Sequence, residues 1–157
     1  MRKQIITAVQ QATDCPDDEW LNLEVLAEVE ITSEDSAHPI ESALLRGGTS
    51  GWRAAVPGKQ TIRLVFTRPQ KIRRIWMQFK ETNAVRTQEY VLRWSADGGQ
   101  TYREIVRQQW NFSSPSATCE DEDLRVEIQA VTVLELSIIP DIGGGNAIAS
   151  LDQLRLA

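Results

Sequence analysis

Residues 74–80 read RIWMQFK, and every second side chain in this stretch is apolar. Ile75, Met77 and Phe79 therefore fall on one face of an extended chain, while the basic, indole and amide side chains between them fall on the other. This period of two is typical of a β-strand in a sheet with one buried face. The stretch predicts a strand whose three apolar residues lie in the core.

The same alternation recurs along the chain and predicts an all-β protein, a sandwich or a barrel. Residue 69 is a proline and predicts a strand end, residues 97–99 (DGG) predict a hairpin turn, and residues 143–146 (GGGN) predict a loop before a last strand over 149–156. Helix is expected only over residues 20–27 and 39–45, with Asn22 as a cap and Pro39 at the first helical position. Residues 1–10 predict a first strand. The side chains expected to be buried are Ile62, Leu64, Phe66, Ile75, Met77, Phe79, Leu92, Leu134, Leu136 and Ile138.

Length and composition restrict the classes of protein to consider. The 157 residues, 41% of them hydrophobic and 25% charged, suit one globular domain over residues 1–157. The net charge of −5 argues against a nucleic-acid partner. Residues 53–86 are biased toward basic side chains, and we interpret this bias as a solvated face in preference to an anion-binding strip. One histidine and two cysteines offer little for metal binding or catalysis, so an enzyme is the least favoured class and no cofactor is expected.

The location is predicted from two negative observations. No apolar run approaches the length of a membrane span, and the apolar stretch after Arg2 and Lys3 stops at Gln10, too early for a signal peptide. We therefore expect a cytoplasmic protein that makes no membrane contact, with Cys15 and Cys119 as reduced thiols.

The order of several motifs resembles the discoidin domain, also called the coagulation factor 5/8 type C or galactose-binding-like domain. The motifs are residues 36–44 (SAHPIESAL), 49–54 (TSGWRA), 60–66 (QTIRLVF), 71–75 (KIRRI), 90–99 (YVLRWSADGG) and 149–156 (ASLDQLRL). The resemblance implies a jelly-roll β-sandwich of two antiparallel sheets with ligands bound by loops at one end. Members bind galactosides and other glycans, lipid headgroups or proteins, and are usually not catalytic.

One departure from the resembled family concerns metal. Many members hold a structural calcium with aspartates ahead of a Thr-Gly-Trp motif and with a glutamate in the last strand. In this chain those positions fall on Leu45, Gly47 and Gln153, and Arg46 adds a positive charge. Calcium prefers carboxylate oxygens, so no high-affinity calcium site is expected.

Five residues in predicted loops are the candidates for ligand binding: His38, Arg53, Arg86, Trp110 and Asn111. An aromatic face stacks on a sugar ring, and guanidinium, imidazole and amide groups donate to its hydroxyls. Alternatives stay open for four of them: His38 as a solvent-exposed helix-entry residue, both arginines in structural ion pairs, and Trp110 (or its neighbour Phe112) as a plug at one end of the barrel. The predicted function is a non-catalytic, lectin-like carbohydrate-binding module. The alternative is an intracellular protein-interaction or scaffolding module; the sequence specifies neither the sugar nor the oligomeric state.

Overall fold

A computed structural model of the chain describes residues 20–47, 50–113 and 115–157. It confirms the predicted all-β fold with two short helices. The predicted first strand over residues 1–10, and Cys15, lie outside the described residues. The elements are α1 (Leu23–Leu26), β1 (Ala27–Ile31), α2 (Glu41–Leu44), β2 (Trp52–Arg53), β3 (Gln60–Lys80), β4 (Arg86–Ser95), β5 (Arg103–Phe112), β6 (Cys119–Ile139), β7 (Ser150–Leu151) and β8 (Gln153–Leu156).

Two long antiparallel strands, β3 and β6, build both layers of the sandwich. The first part of β3 pairs with β1 and with the last part of β6, which continues through β4 to β5. The second part of β3 pairs with β8 and with the first part of β6. Between these parts the register shifts three times, from Val65 to Arg74. Such irregularities bend a strand, so the same two strands pass from one layer to the other.

The predicted strand end at Pro69 is wrong, because β3 continues through it. Val65 pairs with Val133 and Gln70 with Val131, and Pro69 falls in the register shift between them. Proline is tolerated there because no ladder hydrogen bond from its nitrogen is required. Strand β6 is likewise continuous through Ala130, although this residue takes a φ of 57°.

The core confirms the predicted alternation. All ten predicted core residues are buried, none more than 6% exposed. Phe79 of β3 stacks on Tyr90 of β4 with ring centroids 5.4 Å apart, which joins the two layers near one end. The apolar faces of the strands therefore pack together as the period of two requires.

The helices are shorter than predicted. Both have four residues; Asn22 stands at the N-cap of α1 without a side-chain cap bond, and α2 begins at Glu41 after an N-cap at Ile40 rather than at Pro39. No helix in the described ranges is long and apolar enough to cross a membrane.

The predicted last strand is split at Asp152 into β7 and β8. The Asp152 N–H donates to the Gln78 carbonyl, while β8 pairs with β3 and β7 pairs with β2. The break therefore lets one short segment connect the main sheet to the small β2–β7 sheet, and it places Ser150 and Asp152 beside the end of β3.

Candidate functional site

A pocket of about 170 Å³ opens at the end of the sandwich where β3 finishes and β4 begins. We call it the end pocket. Four segments line it: the loop residue His38, residues 50–53, residues 80–83, and residues 148–152. They come from distant parts of the sequence. The β2–β7 sheet joins the second and fourth, and the backbone bond from the Arg53 N–H to the His38 carbonyl adds the first.

His38 is oriented by the backbone around it. A bridge joins Asp35 and His38, the Arg53 N–H donates to the His38 carbonyl, and the Asp35 N–H donates to the Arg53 carbonyl. The imidazole Nδ1 lies 3.3 Å from the Ser50 carbonyl oxygen, which accepts the Nδ1 proton. In the neutral ring Nε2 is then an acceptor for a ligand hydroxyl.

Arg53 follows the wholly buried Trp52, and its own side chain is exposed beside the pocket. Its backbone is held by the pairing with Ser150 in the β2–β7 sheet. Within residues 20–47, 50–113 and 115–157, no carboxylate lies within ion-pair distance of its guanidinium. The side chain therefore offers a free planar set of donors to a ligand.

The other wall of the pocket carries charges that are already paired. Lys80 Nζ lies 3.4 Å from Asp152 Oδ2, and Arg86 Nε donates to Glu81 Oε1 at 2.7 Å. Burial opposes ionisation of Glu81, but its hydrogen bonds with Arg86 and with the Asn83 N–H outweigh that effect and lower its pKa. Asn83 is exposed at the tip of this turn. The turn is thus held by the Glu81–Arg86 pair and contributes Asn83 to the lining of the pocket.

Arg86 lies behind the pocket rather than in it. Its side chain is 1% exposed, and besides Glu81 it donates to the Pro140 carbonyl at 2.7 Å and to Gln88 Oε1 at 3.2 Å. Its guanidinium carbon also lies 4.6 Å from the centroid of the Phe112 ring. Of the two interpretations left open for this residue, the structure supports the structural ion pair.

Trp110 and Asn111 do not line the end pocket, and the predicted loop around them is wrong. Residues 110–112 belong to β5, because they continue the ladder with β4: Trp110 pairs with Gln88 and Asn111 with Thr87. The Asn111 side chain accepts a hydrogen bond from Thr87 Oγ1 at 2.7 Å. Trp110 is 36% exposed, so it is not the enclosed plug of the core considered above.

Beneath the pocket lies a group of side chains that we call the buried polar cluster: Arg86, Gln88, Glu120 and Glu122. Glu120 is 1% exposed and accepts a hydrogen bond from Gln88 Nε2 at 3.2 Å. Burial, together with the nearby carboxyl group of Glu122, raises the pKa of Glu120 to about 8. Because Gln88 also contacts Arg86, the cluster connects the first residues of β6 to the turn that carries Asn83.

The region expected to lack calcium ligands contains a guanidinium bridge. Arg155 of β8 donates to the Ala43 carbonyl at 2.8 Å and to the Leu45 carbonyl at 3.0 Å. It therefore bonds the end of α2 to the last strand. Among the residues that the structure describes, no group of three or more His, Cys, Asp or Glu side chains could hold a metal. Whether calcium affects this protein stays a prediction.

Sequence reasoning missed Lys80, Asn83 and Asp152 as residues of the end pocket. The polar stretch after β3 indicated a loop, but within it Arg86 was chosen over Asn83, because arginine is the more common residue type in ligand sites. The pairing of β2 with β7 sets Ser150 opposite Arg53, and the hydrogen bond from the Asp152 N–H to the Gln78 carbonyl joins this segment to the end of β3. These long-range contacts bring all three residues to the pocket.

No family model matches the sequence, and no curated protein matches it. Solved structures do match the fold. One is the family 32 carbohydrate-binding module of Clostridium perfringens NanJ in complex with galactose, at 16% identity and a TM-score of 0.60, over 83% of this chain and 92% of that one. Another is CpGH89CBM32-5 of Clostridium perfringens in complex with GalNAc-β-1,3-galactose, at 20% identity and a TM-score of 0.59, over 88% and 99%.

A third match, CBM32 of AlyQ in complex with 4,5-unsaturated mannuronic acid, has 13% identity and a TM-score of 0.61, over 84% and 95%. At these identities the likeness establishes the fold, while the chemistry of a site must be argued from the residues themselves. The chain has the galactose-binding-like jelly-roll fold, which it shares with family 32 carbohydrate-binding modules.

Proposed function

We propose that this chain is a non-catalytic carbohydrate-binding module and that the end pocket is its sugar site. The observation that supports this most directly is the convergence of His38, Arg53, Lys80 and Asn83 on one small pocket at the end of a rigid sandwich. Imidazole, amide, ammonium and guanidinium groups together recognise hydroxyl groups, which both donate and accept hydrogen bonds. Matching structures were solved with galactose and with GalNAc-β-1,3-galactose bound, which is consistent with this class of ligand.

The size and lining of the pocket suit a single sugar unit held mainly by hydrogen bonds. Its volume of about 170 Å³ lies below the roughly 300–1,000 Å³ of pockets for drug-sized ligands. Trp52 is wholly buried and cannot stack on a sugar ring. In this proposal the apolar contact with the sugar comes from Ile148, which also lines the pocket. We expect weak binding, with dissociation constants of about 10⁻³ to 10⁻⁵ M.

In this proposal the five residues first considered take different roles. His38 and Arg53 contact the sugar, and Arg86 is a positioning residue that holds the turn carrying Asn83. Trp110 and Asn111 lie on β5 and do not contribute to binding of a single sugar. The scaffolding alternative gains no support from a particular feature of the described residues, and it becomes the working hypothesis if no glycan binds.

The test uses two asparagines that differ in position. A glycan array with the purified chain identifies a binding sugar, and isothermal titration then measures it against Asn83→Ala and against Asn111→Ala as the matched control. We expect Asn83→Ala to weaken binding by about tenfold, since it removes hydrogen bonds to the ligand, and Asn111→Ala to leave binding unchanged. A blank array, or equal losses in both variants, would contradict the proposed function or its site.

A further inference from the structure

The charges around the end pocket are unevenly paired. Five titratable side chains line it: His38, Arg53, Lys80, Glu81 and Asp152. Asp152 pairs with Lys80, and Glu81 pairs with the buried Arg86. Both acids are thus engaged by cations, whereas Arg53 has no acidic partner within the described residues. The pocket consequently has one cationic side chain that no carboxylate of the described residues pairs with.

The backbone of Arg53 is held on both sides. Its N–H donates to the His38 carbonyl at 3.2 Å, its carbonyl accepts from the Asp35 N–H at 2.8 Å, and β7 pairs with it on the other side. The exposed side chain therefore leaves a fixed point of the backbone beside the pocket. The buried Trp52 immediately before it, which donates from its indole to the Ser33 carbonyl at 3.1 Å, further restrains the strand.

We propose that the sugar bound in the end pocket carries a carboxylate, and that Arg53 is the residue that selects it. This inference rests on the proposed carbohydrate site and names its ligand class, a hexuronate unit. A guanidinium presents two parallel N–H groups that match the two oxygens of a planar carboxylate. Such charge-assisted bonds can hold a sugar where no exposed aromatic side chain stands among the described residues that line the pocket. An uncharged sugar would leave the guanidinium of Arg53 without an ionic partner.

The test compares sugars that differ only at C6. Methyl β-glycosides of galacturonate and glucuronate are titrated by calorimetry or by NMR against those of galactose and glucose, using the whole chain. We expect at least one acid to bind about fivefold more tightly than its neutral partner at low salt, as is typical of a partly exposed ion pair. The ratio should fall toward one in about 0.5 M salt, because added ions screen exposed charges.

Variants assign the selectivity to its residue. Arg53→Gln should reduce the acid-to-neutral ratio to about one, and Arg53→Lys should give an intermediate ratio because it keeps the charge and loses the planar donors. Arg73→Gln, at an exposed position in β3, removes the same charge outside the pocket and should leave the ratio unchanged.

Each other outcome is decisive. Equal binding of both members of each pair overturns the carboxylate inference and leaves the carbohydrate site standing. A ratio that survives in Arg53→Gln, or that falls equally in Arg73→Gln, also overturns it. Binding of none of the four sugars overturns the inference, and a blank glycan array in addition contradicts the proposed function.

Discussion

The end pocket and the buried polar cluster beneath it each contain an arginine, but the two guanidinium groups differ in exposure and in pairing. In the pocket Arg53 is exposed and without an acidic partner in the described chain, whereas in the cluster Arg86 is 1% exposed and bonds Glu81, Gln88 and the Pro140 carbonyl. A buried charge must be paired because removing it from water is costly, while an exposed charge carries no such requirement. The difference teaches that a guanidinium available for a ligand is recognised by its missing partners and not by its position in a polar loop.

The strongest test of this comparison replaces each arginine by methionine. Arg86→Met leaves Glu81 without its cation and removes two further buried bonds, so we expect a loss of about 3–5 kcal/mol in the free energy of unfolding. Arg53→Met should change that free energy by no more than about 0.5 kcal/mol. Urea denaturation followed by tryptophan fluorescence measures both. Similar losses in the two variants would refute the contrast between the regions.

Arg155 provides an intermediate case, because it is half-buried and donates to backbone carbonyls. Arg155→Met should lower the free energy of unfolding by about 2 kcal/mol, since a charged donor is lost and two carbonyls lose their partner. Urea denaturation measures this loss.

The absence of a calcium effect is tested on the unsubstituted chain. Thermal melts with calcium and with a chelator should coincide. A Tm several degrees higher in calcium would show that carboxylates outside this bridge hold a metal.

The cluster should also make stability depend on pH, through Glu120. The folded pKa of about 8 lies above the ordinary value of 4.5, so between these values the folded chain keeps a proton that the unfolded chain has released. The contribution is therefore complete below about pH 4.5 and is lost as the pH rises through 8. Glu122 on the same strand and Gln88, Tyr90 and Arg86 on β4 are the groups that set this balance.

We expect the Tm to fall by several degrees between pH 5 and pH 8, and Glu120→Gln to flatten this dependence. Glu81, whose pKa is lowered, contributes with the opposite sign, and its contribution is lost as the pH falls below 4.5, outside this window. An unchanged slope in Glu120→Gln would assign the pH dependence to groups outside the cluster.

A modest loss of stability is expected at Trp110, which lies on the edge strand β5 outside both regions. Because it is 36% exposed, Trp110→Ala should cost about 1–2 kcal/mol rather than the roughly 3–5 kcal/mol of a fully buried aromatic residue. Binding of a single sugar should persist in this variant, as measured by titration. Loss of binding with an unchanged melt would instead place the ligand along β5.

The fold followed from the sequence more fully than the site did. Alternation identified every predicted core residue, because a strand with one buried face must repeat with a period of two. It failed at Pro69 and at Trp110, where the decision depends on a partner strand: a register shift in the first case and the ladder with β4 in the second. Residue type and predicted loop position selected His38, Arg53 and Arg86 alike, and the structure places the first two beside one pocket and Arg86 behind it.

The sequence by itself determined the strands, the buried faces and the scarcity of helix, since these depend on neighbouring residues. The tertiary structure alone decided which charged groups meet. Arg86 reaches the carbonyl of Pro140 across 54 positions, and Gln88 reaches Glu120 across 32. The pairing of β2 with β7 likewise joins Arg53 to Ser150. Burial and pairing of a charge depend on contacts between residues distant in the chain, and these contacts leave no local periodicity in the sequence.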